Sequence, residues 1–315
     1  MANCLVTGGA GFIGSHLVES LVAAGHRVRV VDNLSTGRLE NLANVYDKIE
    51  FYQGDVTNAL LLLDLVRETD FVFHLAALAS VPRSVDSPLE THAACATGTV
   101  TVLDAARRAA VKRVVYASSS AVYGDQPVSA KRETDLPSPI SPYGAAKLTG
   151  EIYCQAFQAT YGLETVCVRY FNVYGPRQDP ESPYSAVIPR FITALLRCQA
   201  PVIYGDGKQS RDFTYVSNVV EATLLAAWTD GAAGRVFNAA MGRCISLLEL
   251  LEALQQILGT RIEPQFDPPR PGDIRESMAD ITLARRLLGY EPKVSFYEGL
   301  ERSIAYYRSI CSKLA

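Results

Sequence analysis

An apolar run, Leu5-Val6-Thr7, opens into Gly8-Gly9-Ala10-Gly11-Phe12-Ile13-Gly14, and an apolar stretch of helical length follows at once. That juxtaposition leaves few folds open. Glycines let the backbone reverse sharply after a strand and approach a ligand with no Cβ in the way, while the amides that open the helix attract negative charge. The residues fit G-x-G-x-x-G from Gly9 and G-x-x-G-x-x-G from Gly8, and the strand–turn–helix context is the one a dinucleotide fingerprint requires. Asp32 closes the next apolar run, Val28 to Val31, 18 residues after Gly14. A carboxylate there accepts hydrogen bonds from the adenosine ribose and repels a 2′-phosphate, so NAD is expected rather than NADP. Arg38, close by, is read as a solvated surface residue.

The same rhythm continues. Short apolar segments at Phe71 to Phe73, Val114 to Tyr116 and Val166 to Val168 alternate with helical patterns at Ser15 to Ala24, Ala59 to Arg67, Gly98 to Ala109 and Pro142 to Thr160. Alternation of this kind specifies an α/β fold, a doubly wound, Rossmann-type parallel sheet that binds ligands at its strand C-terminal ends. After Pro176 prolines and glycines thicken, which predicts a smaller, mixed α/β C-terminal substrate domain. Helices at Leu247 to Leu258 and Tyr297 to Ile310 are expected to cap its cleft. The division expected is 1–175, rejoined by about 212–240 through a strand at Arg235 to Asn238, against 176–211 and 241–315.

Charge excludes other classes. Thirty basic and 33 acidic residues give a net charge of −3 with no long run of either sign, so no nucleic-acid or membrane partner is expected. The seven cysteines are scattered without a C-x-x-C pair, which excludes a structural zinc site and fits a reducing compartment. No metal is expected. With no signal-peptide core and no apolar stretch of about 18 residues, a cytoplasmic enzyme is expected.

Tyr143 and Lys147 stand four apart, hence on one face of the Pro142 to Thr160 helix, where an ammonium can lower a phenol's pKa and let it take a proton. Upstream, Ser118-Ser119-Ser120 supplies hydroxyls at a strand end. Asp55-Val56 is placed near an adenine, and Leu75-Ala76-Ala77 puts small residues beside the cofactor. His74 has no nucleophile to pair with and is read as a buried, satisfied histidine.

Five segments together, Thr7 to Gly14, Asp32 to Gly37, Ser118 to Gly124, Tyr143-x-x-x-Lys147 and Arg169-Tyr-Phe-Asn-Val-Tyr-Gly175, resemble the extended short-chain dehydrogenase/reductase family, more narrowly its UDP-hexose 4-epimerases. The likeness runs nearly the whole chain, through Arg211-Asp-Phe213 and Arg270-Pro-Gly-Asp273. It implies that Tyr143 is the catalytic base, that Lys147 bonds the nicotinamide ribose, and that Ser119 completes the set, with Ser118 and Ser120 as alternatives. It assigns Gly8, Gly11, Phe12, Ile13, Gly14, Asp32, Asn33, Ser35, Thr36, Gly37, Asp55, Val56, Leu75, Ala76, Ala77 and Tyr170 to NAD. To the UDP-sugar it assigns Ser120, Asn172, Val187, Tyr204 (stacking on uracil), Arg211 and Arg270 (on the diphosphate), Asp273 and Ser277.

The implied reaction is hydride removal from the sugar C4 to NAD, a transient 4-keto sugar that turns over, and hydride return to the opposite face with the cofactor retained. A 4,6-dehydratase carries Asp-Glu where this chain has Ser120-Ala121, and decarboxylating relatives carry a glutamate in that stretch. Both are disfavoured. A UDP-glucuronate 4-epimerase is the nearer alternative, and a non-catalytic NAD-binding scaffold the more distant one. Ser277, small and beside the sugar C2 substituent in this resemblance, implies room for an N-acetyl group. The family also implies a homodimer packed through helices Gly98 to Ala109 and Pro142 to Thr160.

Overall fold

The computed structural model describes residues 1–126, 130–180, 186–269 and 275–311. The chain begins β1 (Asn3–Thr7), α1 (Phe12–Ala23), β2 (Arg27–Asp32), β3 (Ile49–Gln53), α2 (Ala59–Leu65), β4 (Phe71–His74), α3 (Val81–Asp86), α4 (Pro88–His92), α5 (Gly98–Arg108) and β5 (Arg113–Ser119). It continues through α6 (Pro142–Tyr161), β6 (Glu164–Tyr170), β7 (Val173–Tyr174), α7 (Val187–Leu196), β8 (Val202–Tyr204), β9 (Ser210–Arg211), β10 (Thr214–Tyr215) and α8 (Val216–Trp228). Last come β11 (Arg235–Ala239), β12 (Ile245–Ser246), α9 (Leu247–Leu258), β13 (Gln265–Asp267), β14 (Glu276–Ser277), α10 (Thr282–Leu288) and α11 (Phe296–Cys311).

Seven strands form one parallel sheet in the order β11-β6-β5-β4-β1-β2-β3. The order reverses between β1 and β4, the crevice where a doubly wound sheet takes its ligand. Parallel strands are covered by helices on both faces, so they read as continuous apolar runs: Val114 and Val115 are both fully buried, on opposite faces. One cluster joins Val6 and Val168 of the sheet to Ile203, Leu250 and Phe296 of the later segments, so both halves of the chain share a core.

Helix α6 owes its length to its ends. Ser141 caps it by accepting the Gly144 N–H at 3.1 Å, Pro142 occupies the first turn, and Gly162 at φ 72° stops it. Such a cap contributes about 1 kcal/mol. It starts beyond the end of β5 and so holds Tyr143 over the strand C-termini. The region after Pro176 is more helical than its prolines suggest, with α7 and α8 both unexpected from the sequence. Three small sheets follow, pairing β10 with β7, β9 with both β12 and β14, and β13 with β8. Among the described residues no helix is long and apolar enough to cross a membrane, and no group of three or more His, Cys, Asp or Glu could hold a metal ion.

Candidate active site

The glycine loop is packed as closely as glycine permits. Gly8 adopts φ 70°, and a Cβ there would meet the Ala76 nitrogen at 2.7 Å; at Gly14 it would lie 2.1 Å from the Gly8 carbonyl oxygen. Asp32 sits against this loop, with Oδ2 accepting the Ala10 N–H at 3.0 Å and Oδ1 the Leu34 N–H at 2.8 Å. Burial pushes its carboxyl above the usual range, and those two amides pull it back. A Cβ on Gly37 would fall 2.8 Å from Asp32 Oδ1, so the 33–37 loop folds over the carboxylate. Asn33 donates to Asp55 at 2.7 Å and accepts the Ser35 N–H at 3.0 Å, while Ser35 and Thr36 are exposed. Arg38 points away into an exposed pair with Asp179 at 2.8 Å. These residues fit an NAD: a Cβ-free cradle for its diphosphate and a fixed carboxylate for its adenosine ribose.

His74 forms the rear wall. Thr99 Oγ1 donates to the Cys95 carbonyl at 2.5 Å, so it accepts from His74 Nε2 at 3.0 Å. Thr7 Oγ1, which accepts the Ala76 N–H at 3.2 Å, therefore donates to His74 Nδ1 at 2.7 Å. The imidazole is neutral and fully used, and burial pushes its pKa down to about 3. It ties β1 and the Leu75-Ala76-Ala77 segment to α5. Val56 is buried in the core under α2. The Tyr170 hydroxyl hydrogen-bonds Thr223 at 2.8 Å, which leaves its ring and backbone for any cofactor contact.

Three neighbouring elements meet at Tyr143. Its phenol faces the Ser119 hydroxyl, and its ring packs on Cys95 and Ala146. Ser118 takes a partner further along the same helix, buried and bonded to Glu151 at 2.5 Å. Strand alternation separates the two serines, and Ser120 opens the next turn. Lys147 lies 3% exposed, donates to the Ala117 carbonyl at 2.7 Å, and holds its ammonium 5.9 Å from the Tyr143 ring centre. The expected lowering of the phenol pKa is not what the structure has: burial raises Tyr143 above its ordinary range, and burial also lowers Lys147. Desolvation, the largest cause in both cases, penalises both charged forms.

The later segments bring a second set of groups forward. Asn172 stands two residues past the end of β6 at φ 32°, and its buried Nδ2 has no hydrogen-bond partner among the described residues. A buried, unused donor of that kind is open to an acceptor from outside the described residues. Its carbonyl accepts the Thr214 N–H at 3.3 Å, which links it to the strand beyond Arg211. Arg211 and Ser277 are register partners in β9 and β14. Ser277 is buried, Val187 opens α7, and Tyr204 ends β8 with the Arg190 guanidinium 5.9 Å over its ring. Arg270 and Asp273 lie outside the described residues.

Sequence reasoning missed Cys95 and Glu151. Cys95 belongs to a π-helical turn, Ala93–Thr97, which breaks the helical period and hides the residue's direction. Glu151 was legible, since positions 143, 147 and 151 run up one face of α6.

Strand order, glycine cradle and the tyrosine–lysine face define a nucleotide-dependent enzyme of the doubly wound class. The profile of the NAD dependent epimerase/dehydratase family matches residues 4–240, and the chain belongs to that family, with NAD as its cofactor. It is 43% identical to a UDP-glucose 4-epimerase of Mycolicibacterium smegmatis over 97% of this chain and 98% of the relative. Among solved structures it is similar to a UDP-N-acetylglucosamine 4-epimerase of Methanobrevibacter ruminantium in complex with UDP-N-acetylmuramic acid, at 41% identity and TM-score 0.94 over 98% and 99% of the two chains. A UDP-glucose 4-epimerase of Thermotoga maritima with UDP-glucose matches with the same figures.

Proposed function

We propose that this chain is a UDP-hexose 4-epimerase acting on UDP-glucose and UDP-galactose, on their N-acetylated counterparts, or on both pairs. The observation that carries the reading is the buried Tyr143 phenol, facing Ser119 with Lys147 one helical turn on, at the strand C-terminal ends where the glycine cradle also opens. When bound, NAD⁺ supplies a hydride acceptor and a fixed positive charge. Tyr143 takes the sugar C4 hydroxyl proton and later gives it back, Ser119 orients that hydroxyl, and Lys147 favours the phenolate and reaches the nicotinamide ribose. Asn172, Arg211 and Arg270 hold the diphosphate and sugar, Tyr204 stacks on the uracil, and the closed wall of Cys95 and Ala146 keeps water from the exchanging proton.

Proton NMR of the purified protein with UDP-glucose or UDP-N-acetylglucosamine, without added NAD, tests this. Growth of the C4 epimer's anomeric signal is expected; no change with either sugar, in protein that carries NAD, would overturn it. Ser277 sets the size of the C2 pocket in this reading. Ser277→Tyr is expected to cut turnover of the N-acetyl sugar at least 10-fold while sparing UDP-glucose, and equal turnover of both by the variant would refute the pocket.

A homodimer is part of the proposal. Ile152 and Tyr153 on α6 are 56% and 40% exposed, beside Val85 at 63% on α3 and Leu89 at 84% on α4. An apolar face of this kind suits a second copy, and light scattering at micromolar concentration should give twice the 34.3 kDa chain mass; a monomer would count against it. The six described cysteines are free thiols, which suits a cytoplasmic setting.

A further inference from the structure

Three successive residues of β5 dock on one face of α6. Ser119 faces Tyr143, the Ala117 carbonyl accepts from the Lys147 ammonium, and Ser118 between them donates to Glu151. The first two contacts belong to the proposed chemistry. The third is a buried charge that the chemistry does not use.

Glu151 is 2% exposed and fully occupied. Its Oε1 accepts from Ser118 and from Arg169 Nε at 2.9 Å, and its Oε2 accepts from Arg169 Nη2 at 2.7 Å. Ser118 and Arg169 are register partners on β5 and β6, so one carboxylate clasps two strands to the helix. Arg169 is itself held, its guanidinium 4.5 Å over the Tyr123 ring, and Tyr123 donates to Asn238 of β11 at 2.8 Å. The clasp therefore runs from α6 through β5 and β6 to β11. A buried ion pair is a poor device for stability, because dehydrating both charges offsets most of their attraction. It is a good device for fixing position, since a bidentate arginine fork tolerates little displacement.

We propose that Glu151 is a positioning residue for the reaction, which through Ser118 fixes the end of β5 so that Ser119 and the Ala117 carbonyl meet Tyr143 and Lys147 in register. This rests on the catalytic reading of Tyr143, Lys147 and Ser119. The Ser118 hydroxyl is the sensitive link, because its removal leaves the Glu151–Arg169 pair intact and frees only the strand end. A misplacement of about 1 Å costs up to about 100-fold in rate.

The test compares Ser118→Ala, Glu151→Gln and Tyr143→Phe for kcat, KM, melting temperature and NAD released on denaturation, with whichever UDP-hexose the wild type converts. Ser118→Ala is expected to melt near wild type, keep its NAD and KM, and lose about 10-fold in kcat, with Ser118→Thr recovering most of that loss. Glu151→Gln, if it folds, is expected to lose more in kcat than Ser118→Ala does. Wild-type kcat in Ser118→Ala, or a loss shared by kcat and melting temperature that Ser118→Thr does not recover, would overturn the proposal while an inactive Tyr143→Phe left the catalytic reading standing. An active Tyr143→Phe would instead remove the catalytic reading on which the inference depends.

Discussion

Turnover of the UDP-hexose should fall about 1,000-fold in Tyr143→Phe, the range general acid–base catalysis supplies, while KM and bound NAD stay close to wild type. The phenyl ring fills the same space against Cys95 and Ala146, so the packing of α6 survives. What disappears is the hydroxyl that faces Ser119 and, in the proposed reaction, exchanges the proton. A buried phenol with a raised pKa is a reluctant base, and the bound cofactor's positive charge together with Lys147 must offset that. Steady-state kinetics on variant protein with matched NAD content checks this. A loss smaller than about 10-fold would hand the proton to another group, Ser119 being nearest.

Acid should destabilise the protein through His74. In the fold this imidazole stays neutral down to about pH 3, whereas in the unfolded chain it takes a proton near its ordinary value of 6.5. Its contribution is present in full above pH 6.5 and is lost progressively as pH falls toward 3, because the unfolded state gains a proton the native state refuses. The span between the two values corresponds to about 5 kcal/mol at most, of which about 2 kcal/mol is gone by pH 5. The proton would have to enter at Nδ1, where Thr7 already donates, so charging His74 breaks the bond that holds β1 to α5. Urea titrations at pH 7 and pH 5 on wild type and His74→Gln measure this. The variant, though less stable at pH 7, should show a shallower slope with pH, and identical slopes would mean another group is responsible.

Much of this architecture was readable before any coordinates. The glycine loop, Asp32, the five expected strands and helix α6 stand where local pattern and turn chemistry put them, and the strand at Arg235 to Asn238 does pair with β6. The histidine read as buried and satisfied is so. Helix α8 was not legible, because Val216, Val219, Val220, Ala222 and Ala226 are buried around much of its circumference and leave no polar stripe to set a 3.6-residue period. Strands β7, β9, β10, β12 and β14 are two residues long, and nothing that short carries an alternation. The Tyr143 phenol was misjudged in sign, since helical spacing reveals the ammonium nearby but says nothing of how dry the site is. That Ser118 is turned to a buried acid 33 residues away on another element is not legible in the serine run.

The strand order also governs how the chain is made. Strand β6 has β5 on one side and β11 on the other, yet β11 follows β6 in sequence only after α7, α8 and three small strand pairings have begun. A nascent chain that has laid down β1 to β6 thus carries an open edge along Val166 to Tyr170, its outer row of amides and carbonyls unpaired and its side chains mostly apolar, Arg169 apart. Such an edge invites pairing with a neighbouring chain. Closure waits on Arg235 to Ala239 leaving the ribosome, so the same late strand that brings Asn238 under Tyr123 also ends the interval in which the half-made sheet is exposed to aggregation.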